Sequence, residues 1–128
     1  MGLRTVQIAG GDQAGTNTNA GSWAAATQVA AVPLKLHKLV VFVPTAIGAN
    51  RVIWLLDVAA GDNTAKDPIP LLCPPGYTTT LDFGDGGLQF SNGLYIVVCT
   101  NEPAGPTTAQ VVGAANDARV EVNYRLKF

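Results

Sequence analysis

The chain has 128 residues, one domain's worth, with no room for separate catalytic and binding domains. It carries eight Lys and Arg against nine Asp and Glu, 13% of its residues and a net charge of −1. Typical domains carry about twice that share. So few ionic groups, balanced in sign, exclude a nucleic-acid binder that works by clustering cations on phosphates. A chain of this length removes about two-thirds of its extended surface from water, so it needs neither disulfide nor metal to fold.

Met1 to Ile8 lacks the basic start and continuous apolar stretch of a signal peptide, so the mature chain is expected to begin at Met1. Leu3 to Ile8 is expected as a first strand. The uncharged stretch from Gln13 to Leu34 is too polar for a membrane span. Gly10 to Ser22 is small and polar, the composition of a mobile arm or long loop, either laid across a neighbouring subunit or free on the surface. Ser22 to Val32 is expected as a strand. The five alanines between Trp23 and Ala31 tempt toward helix, but the run ends at Val32-Pro33, and Thr27, Val29 and Val32 favour extended backbone.

Leu34 to Pro44 reads as a strand whose second half, Leu39-Val40-Val41-Phe42-Val43, is apolar throughout and expected to be covered on both faces. Arg51 to Val58 and Leu94 to Cys99 are similar runs, the latter preceded by the turn signal Asn92-Gly93. Shorter strands fit Ile69 to Cys73, Thr78 to Phe83 and Val111 to Gly113. At the C-terminus Val120, Val122, Tyr124, Leu126 and Phe128 alternate with Glu121, Asn123, Arg125 and Lys127, one dry face and one wet or partner-facing face. Turn residues at Gly10-Gly11, Gly48, Gly61-Asp62, Pro74-Pro75-Gly76, Gly84 to Gly87 and Pro103 to Pro106 leave few helical windows. The expected fold is therefore all-β, a single β-sandwich or barrel domain over residues 1–128, with 10–22 as arm or loop.

No catalytic constellation emerges. His37 is the only histidine, which excludes most catalytic zinc sites. It is expected on a strand face with Leu39 and Val41, with a structural role, and there is no triad for it to join. Asp82-Phe83-Gly84 matches a kinase tripeptide without the loops a kinase needs. Asp62, Asp67, Asp82 and Asp85 are too sparse for a calcium loop and read as turn formers. No lysine or arginine lies between Lys66 and Arg119, so loops gathered from that gap would make a mildly acidic end. Phe42 and Trp54 are expected in the core, and Cys73 and Cys99 as free thiols. No enzyme, metal, cofactor, membrane or nucleic acid is expected.

Several segments in sequence carry a resemblance: Leu36-His37-Lys38-Leu39-Val40-Val41, Val52 to Asp57, Leu81-Asp82-Phe83, Leu88 to Val98, and Val120-Glu121-Val122-Asn123-Tyr124. In order and spacing, from Val32 to Phe128, the chain resembles a group of small all-β virion proteins of tailed bacteriophages. The Asp67 to Gly76 stretch, the cysteines and the N-terminal arm depart from that pattern. The resemblance implies a jelly-roll-like sandwich, commonly trimeric, placed on a capsid, neck or tail and assembled in the host cytoplasm. Capsid decoration (cement) is the expected role, with a neck, tail or head-fibre component as the alternative.

A homo-oligomer contacting other virion proteins would use the arm (Asp12, Thr16, Asn17), the stiff loop carrying Pro70, Pro74 and Pro75, and the last strand (Tyr124, Phe128), which could pair at a sheet edge. From another class, a carbohydrate-binding module would stack host glycans on Trp23, Tyr77 or Tyr95.

Overall fold

The computed structural model describes residues 3–9, 16–17, 27–58, 66–99, 110–111 and 118–127. Its strands are β1 (Arg4–Ala9), β2 (Thr16–Asn17), β3 (Thr27–Ala30), β4 (Leu34–Phe42), β5 (Arg51–Asp57), β6 (Lys66–Cys73), β7 (Thr78–Asp82), β8 (Leu88–Phe90), β9 (Leu94–Cys99), β10 (Gln110–Val111) and β11 (Arg119–Leu126). A single 3-10 turn, Thr45–Ile47, is the one helical segment among the described residues. The first sheet runs β1-β11-β4-β7, with β8 also on β4, and the second runs β3-β9-β5-β6. β2 and β10 form a separate short ribbon. Every pairing is antiparallel. The fold is an all-β sandwich, as the alternation and the frequent turns led one to expect.

The two sheets meet through their apolar rows. Leu34, Leu36, Leu39 and Val41 of β4, with Val120, Val122 and Tyr124 of β11, pack against Ile53 and Leu55 of β5 and Leu94, Ile96 and Val98 of β9. Each such buried side chain contributes about 1.5–3 kcal/mol relative to exposure. β5 has a second buried row: Val52, Trp54 and Leu56 cluster with Val58, Val97 and Cys99 on the opposite face of the second sheet. The doubly covered strand is therefore β5, and β4 departs from that expectation. Val40 is half-buried and Phe42 is 42% exposed, because their side of β4 is the outer face of the first sheet. Trp54, only 3% exposed, is core as expected, whereas Phe42 is not.

β4 also changes phase along its length. Asn123 pairs with Lys38 but Tyr124 pairs with Leu36, so His37 is an extra residue, a β-bulge. The core positions shift from Leu34 and Leu36 to Leu39 and Val41 across it. His37 thus leaves the face of Leu39 and Val41, where an unbroken alternation would put it, and sits half-buried facing outward.

The Asn92-Gly93 turn joins β8 to β9, which belong to different sheets, so it is a corner between them. Asp57 holds the corner: its carboxylate accepts the backbone N–H groups of Ser91 (3.1 Å), Asn92 (2.9 Å) and Gly93 (3.4 Å). A Cβ at Gly93 would lie 2.6 Å from the carbonyl oxygens of both Ala30 and Val58.

Two edge expectations change. β11 lies between β1 and β4, so the last strand is interior and has no free edge to offer. Tyr124, 7% exposed, belongs to the core and cannot be a subunit contact. β6 is an outermost strand, and Pro68 and Pro70 within it carry no backbone N–H, a composition found on edge strands. Within the 10–22 stretch, Thr16 and Asn17 pair with Val111 and Gln110, so these two positions are strand rather than free arm. Cys73 and Cys99 are free, as expected. Cys73 faces the inter-sheet core and Cys99 the other face of the same sheet. Burial pushes their thiols up to about 11 and about 12, with a hydrogen bond from Thr79 opposing the rise at Cys73.

Candidate functional site

The bulge gives the outer face of the first sheet a feature with relief. Where His37 interrupts β4, the strand on its flank is interrupted too: β7 pairs with Lys38 to Phe42, β8 with Leu34 to Leu36, and residues 83–87 loop out between them. The loop is tied down by three bonds. Phe83 N–H donates to the His37 carbonyl (2.8 Å), Gly84 N–H donates to Asp82 Oδ1 (2.9 Å), and His37 Nδ1 lies 2.8 Å from the Gly84 carbonyl. A carbonyl only accepts, so Nδ1 carries the proton. Gly87 closes the loop at φ +69°, and a Cβ there would lie 3.0 Å from Lys35 Cβ and 3.2 Å from His37 Cε1. Asp82 is thus a turn former, as the sequence suggested.

Beside this loop lies a cleft of about 450 Å³ lined by Leu3, His37, Lys38, Asp82, Gly84, Asp85, Asn123 and Arg125. Its floor is the register row Thr5, Asn123, Lys38, Asp82 across β1, β11, β4 and β7. Thr5 Oγ1 donates to Asn123 Oδ1 at 2.7 Å. Leu3, 53% exposed, is an apolar end wall. Lys38 and Arg125 bring positive charge, and Asp82 and Asp85 negative charge from the loop side. Asp82 and Asp85, from the cation-free stretch, therefore stand beside cations and do not make a separate acidic end. The cleft holds polar and charged groups in the open. It has no nucleophile paired with a base, and no described group of three His, Cys, Asp or Glu could hold a metal ion.

Most residues expected at subunit contacts lie elsewhere. Pro70 and Pro74 are exposed and Pro75 is half-buried, while Tyr124 is in the core. Thr16 and Asn17 sit in β2. Asp12, Phe128 and, of the glycan-stacking set, Trp23 fall outside the described residues. Tyr77 is 68% exposed in the β6–β7 turn, and Tyr95 is half-buried with its hydroxyl donating to Gln28 Oε1 at 2.9 Å. Tyr77 follows the β6 end where Cys73 pairs with Arg51, whereas Tyr95 pairs with Leu56. These ends of β5 are roughly 17 Å apart at ~3.4 Å per residue. The two tyrosines therefore form no common platform.

The cleft itself was missed by sequence reasoning, apart from the wet face assigned to the last strand. Asn123 and Arg125 belong to that face, but their meeting with Lys38 and the 83–87 loop depends on a bulge. A scan against protein-family models finds no match, and no curated protein matches the chain.

Proposed function

We propose that the chain is a structural component of a tailed-bacteriophage virion, a capsid decoration (cement) protein that assembles as a homo-oligomer, a trimer, on neighbouring virion proteins. The observation that carries this reading is the nesting of strand pairs. β5 pairs with β6, β4 with β7, β3 with β9 and β1 with β11, as if one long hairpin had been rolled into two sheets. That nesting supports a jelly roll, an architecture used by viral capsid and lectin domains. Fold alone does not choose between them. The series of segments resembling phage virion proteins favours the first, and the separation of Tyr77 from Tyr95 weighs against the second.

In this role the protein acts by contact and carries out no reaction. A sandwich cored on both sides of β5 supplies a stiff body, so little ordering cost is left to be met on docking. The test is co-sedimentation of purified chain with phage particles that lack it. Binding at a saturating, fixed ratio with a raised temperature of particle rupture is the expected result. A chain that stays in the supernatant contradicts the reading.

A further inference from the structure

We propose that the cleft at the β4 bulge is a docking site for an acidic segment of a partner protein, whose carboxylates lie over Lys38 and Arg125. This rests on the assembly reading above for the partner's place, but the site is argued from charge placement. Four of the chain's eight Lys and Arg, namely Lys35, Lys38, Arg125 and Lys127, gather on this end of the first sheet's outer face. Lys38, Arg125 and Lys127 are exposed, and none of the four has an acidic partner within ion-pair distance among the described residues. Lys127 Nζ instead donates to Gln89 Oε1 at 3.0 Å.

The register makes the arrangement costly. Arg125 is directly opposite Lys35, a like-charge pair across adjacent strands. Such a pair opposes folding: Lys38 has Asp82 opposite it on β7, but Lys35 and Arg125 face each other and, on β8, Gln89, so an anion from outside would offset their repulsion. Leu3 adds an apolar contact, and Asn123, whose Oδ1 is taken by Thr5, keeps its amide nitrogen toward a carboxylate as a free donor among the described residues. Asp82 and Asp85 on the loop wall limit the anion to the β4–β11 side and oppose a phosphate backbone, which carries charge at every step.

The experiment is amide NMR of the full chain titrated with acetylated hexaglutamate at low salt. Shifts confined to Leu3, Lys38, Gly84, Asn123 and Arg125 are expected, with affinity falling about tenfold or more in K38E/R125E. Arg119→Glu, at the far end of the same face, should leave binding unchanged, and R125E alone, which removes the like charge opposite Lys35, should weaken binding while melting no lower than the parent. Shifts scattered over the surface, unchanged affinity in K38E/R125E, or tighter binding of a DNA duplex of equal charge overturns the proposal. Particle binding that survives K38E/R125E at full strength overturns this proposal alone. Hexaglutamate binding by a chain that ignores particles overturns the virion reading alone.

Discussion

Asp57 and Asn92, 35 positions apart in sequence, are joined by a 2.9 Å hydrogen bond from the Asn92 backbone N–H to Asp57 Oδ1. With the bonds to Ser91 and Gly93, one carboxylate fixes the corner through which the chain passes from the first sheet to the second. Replacing Asp57 by Ala leaves these amides without their acceptor. A loss of about 1–3 kcal/mol is expected in urea unfolding. Asp57→Asn, which keeps one carbonyl oxygen, should lose less, and equal stability of Asp57→Ala and parent would show that water replaces the clamp.

At the same corner Gly93→Ala tests close packing of backbone. Its Cβ would meet two carbonyl oxygens at 2.6 Å, and those oxygens belong to backbone that cannot swing aside. The variant should lose about 2–3 kcal/mol in the same unfolding assay. Gly84→Ala is the milder comparison: no atom lies within 4 Å of the place its methyl group would take, although its φ of +68° still carries strain.

Phe42 and Trp54 occupy similar apolar runs and differ in exposure, 42% against 3%. Trp54→Ala should therefore cost about 3–5 kcal/mol, measured by thermal or chemical denaturation. Phe42→Ser should stay within about 1 kcal/mol of the parent, as an outer-face substitution does. Equal losses at the two positions would contradict the assignment of Phe42 to the outer face of the first sheet.

The thiols give a pH prediction. Burial raises Cys73 to about 11 and Cys99 to about 12 from an ordinary 9.0. The folded state then holds these protons more tightly than the unfolded chain, so the contribution is fully present below pH 9 and is lost as pH rises through the folded values. Stability measured by denaturant should decline from pH 9 upward, and Cys73→Ala/Cys99→Ala should flatten that decline. At pH 8 a thiol reagent should label native chain far more slowly than unfolded chain.

Removing one cation from the crowded register should separate stability from docking. Arg125→Glu places opposite charges across from each other at Lys35, and about 0.2–1 kcal/mol of added stability is expected. A fall in stability of that size would show that the Lys35–Arg125 pair is not strained in the native protein.

The strands were legible because their apolar residues alternate or run together between Gly and Pro turns, and β4, β5, β9 and β11 fall where those patterns place them. What alternation could not show was a change of phase. A single extra residue, His37, turns the even core positions Leu34 and Leu36 into the odd positions Leu39 and Val41, and with them reverses the side on which His37 itself lies. Strand order is equally hidden: β11 reads as a last strand with an open edge, yet closes between β1 and β4. Asp57 reads as the polar end of an apolar run, since its partners lie more than thirty positions away. The cleft combines the first two, the phase change at His37 and the closing of β11 between β1 and β4, and so the sequence shows only the wet face of the last strand.

The central claim is that this sandwich works by being built into a particle. Cryo-electron microscopy of phage particles saturated with the purified chain tests it most directly. The expected map shows the two-sheet body in symmetric groups on the particle surface, with the end of the first sheet bearing Lys38 and Arg125 turned toward acidic density of a neighbour. Particles imaged under the same conditions without added density would contradict the account.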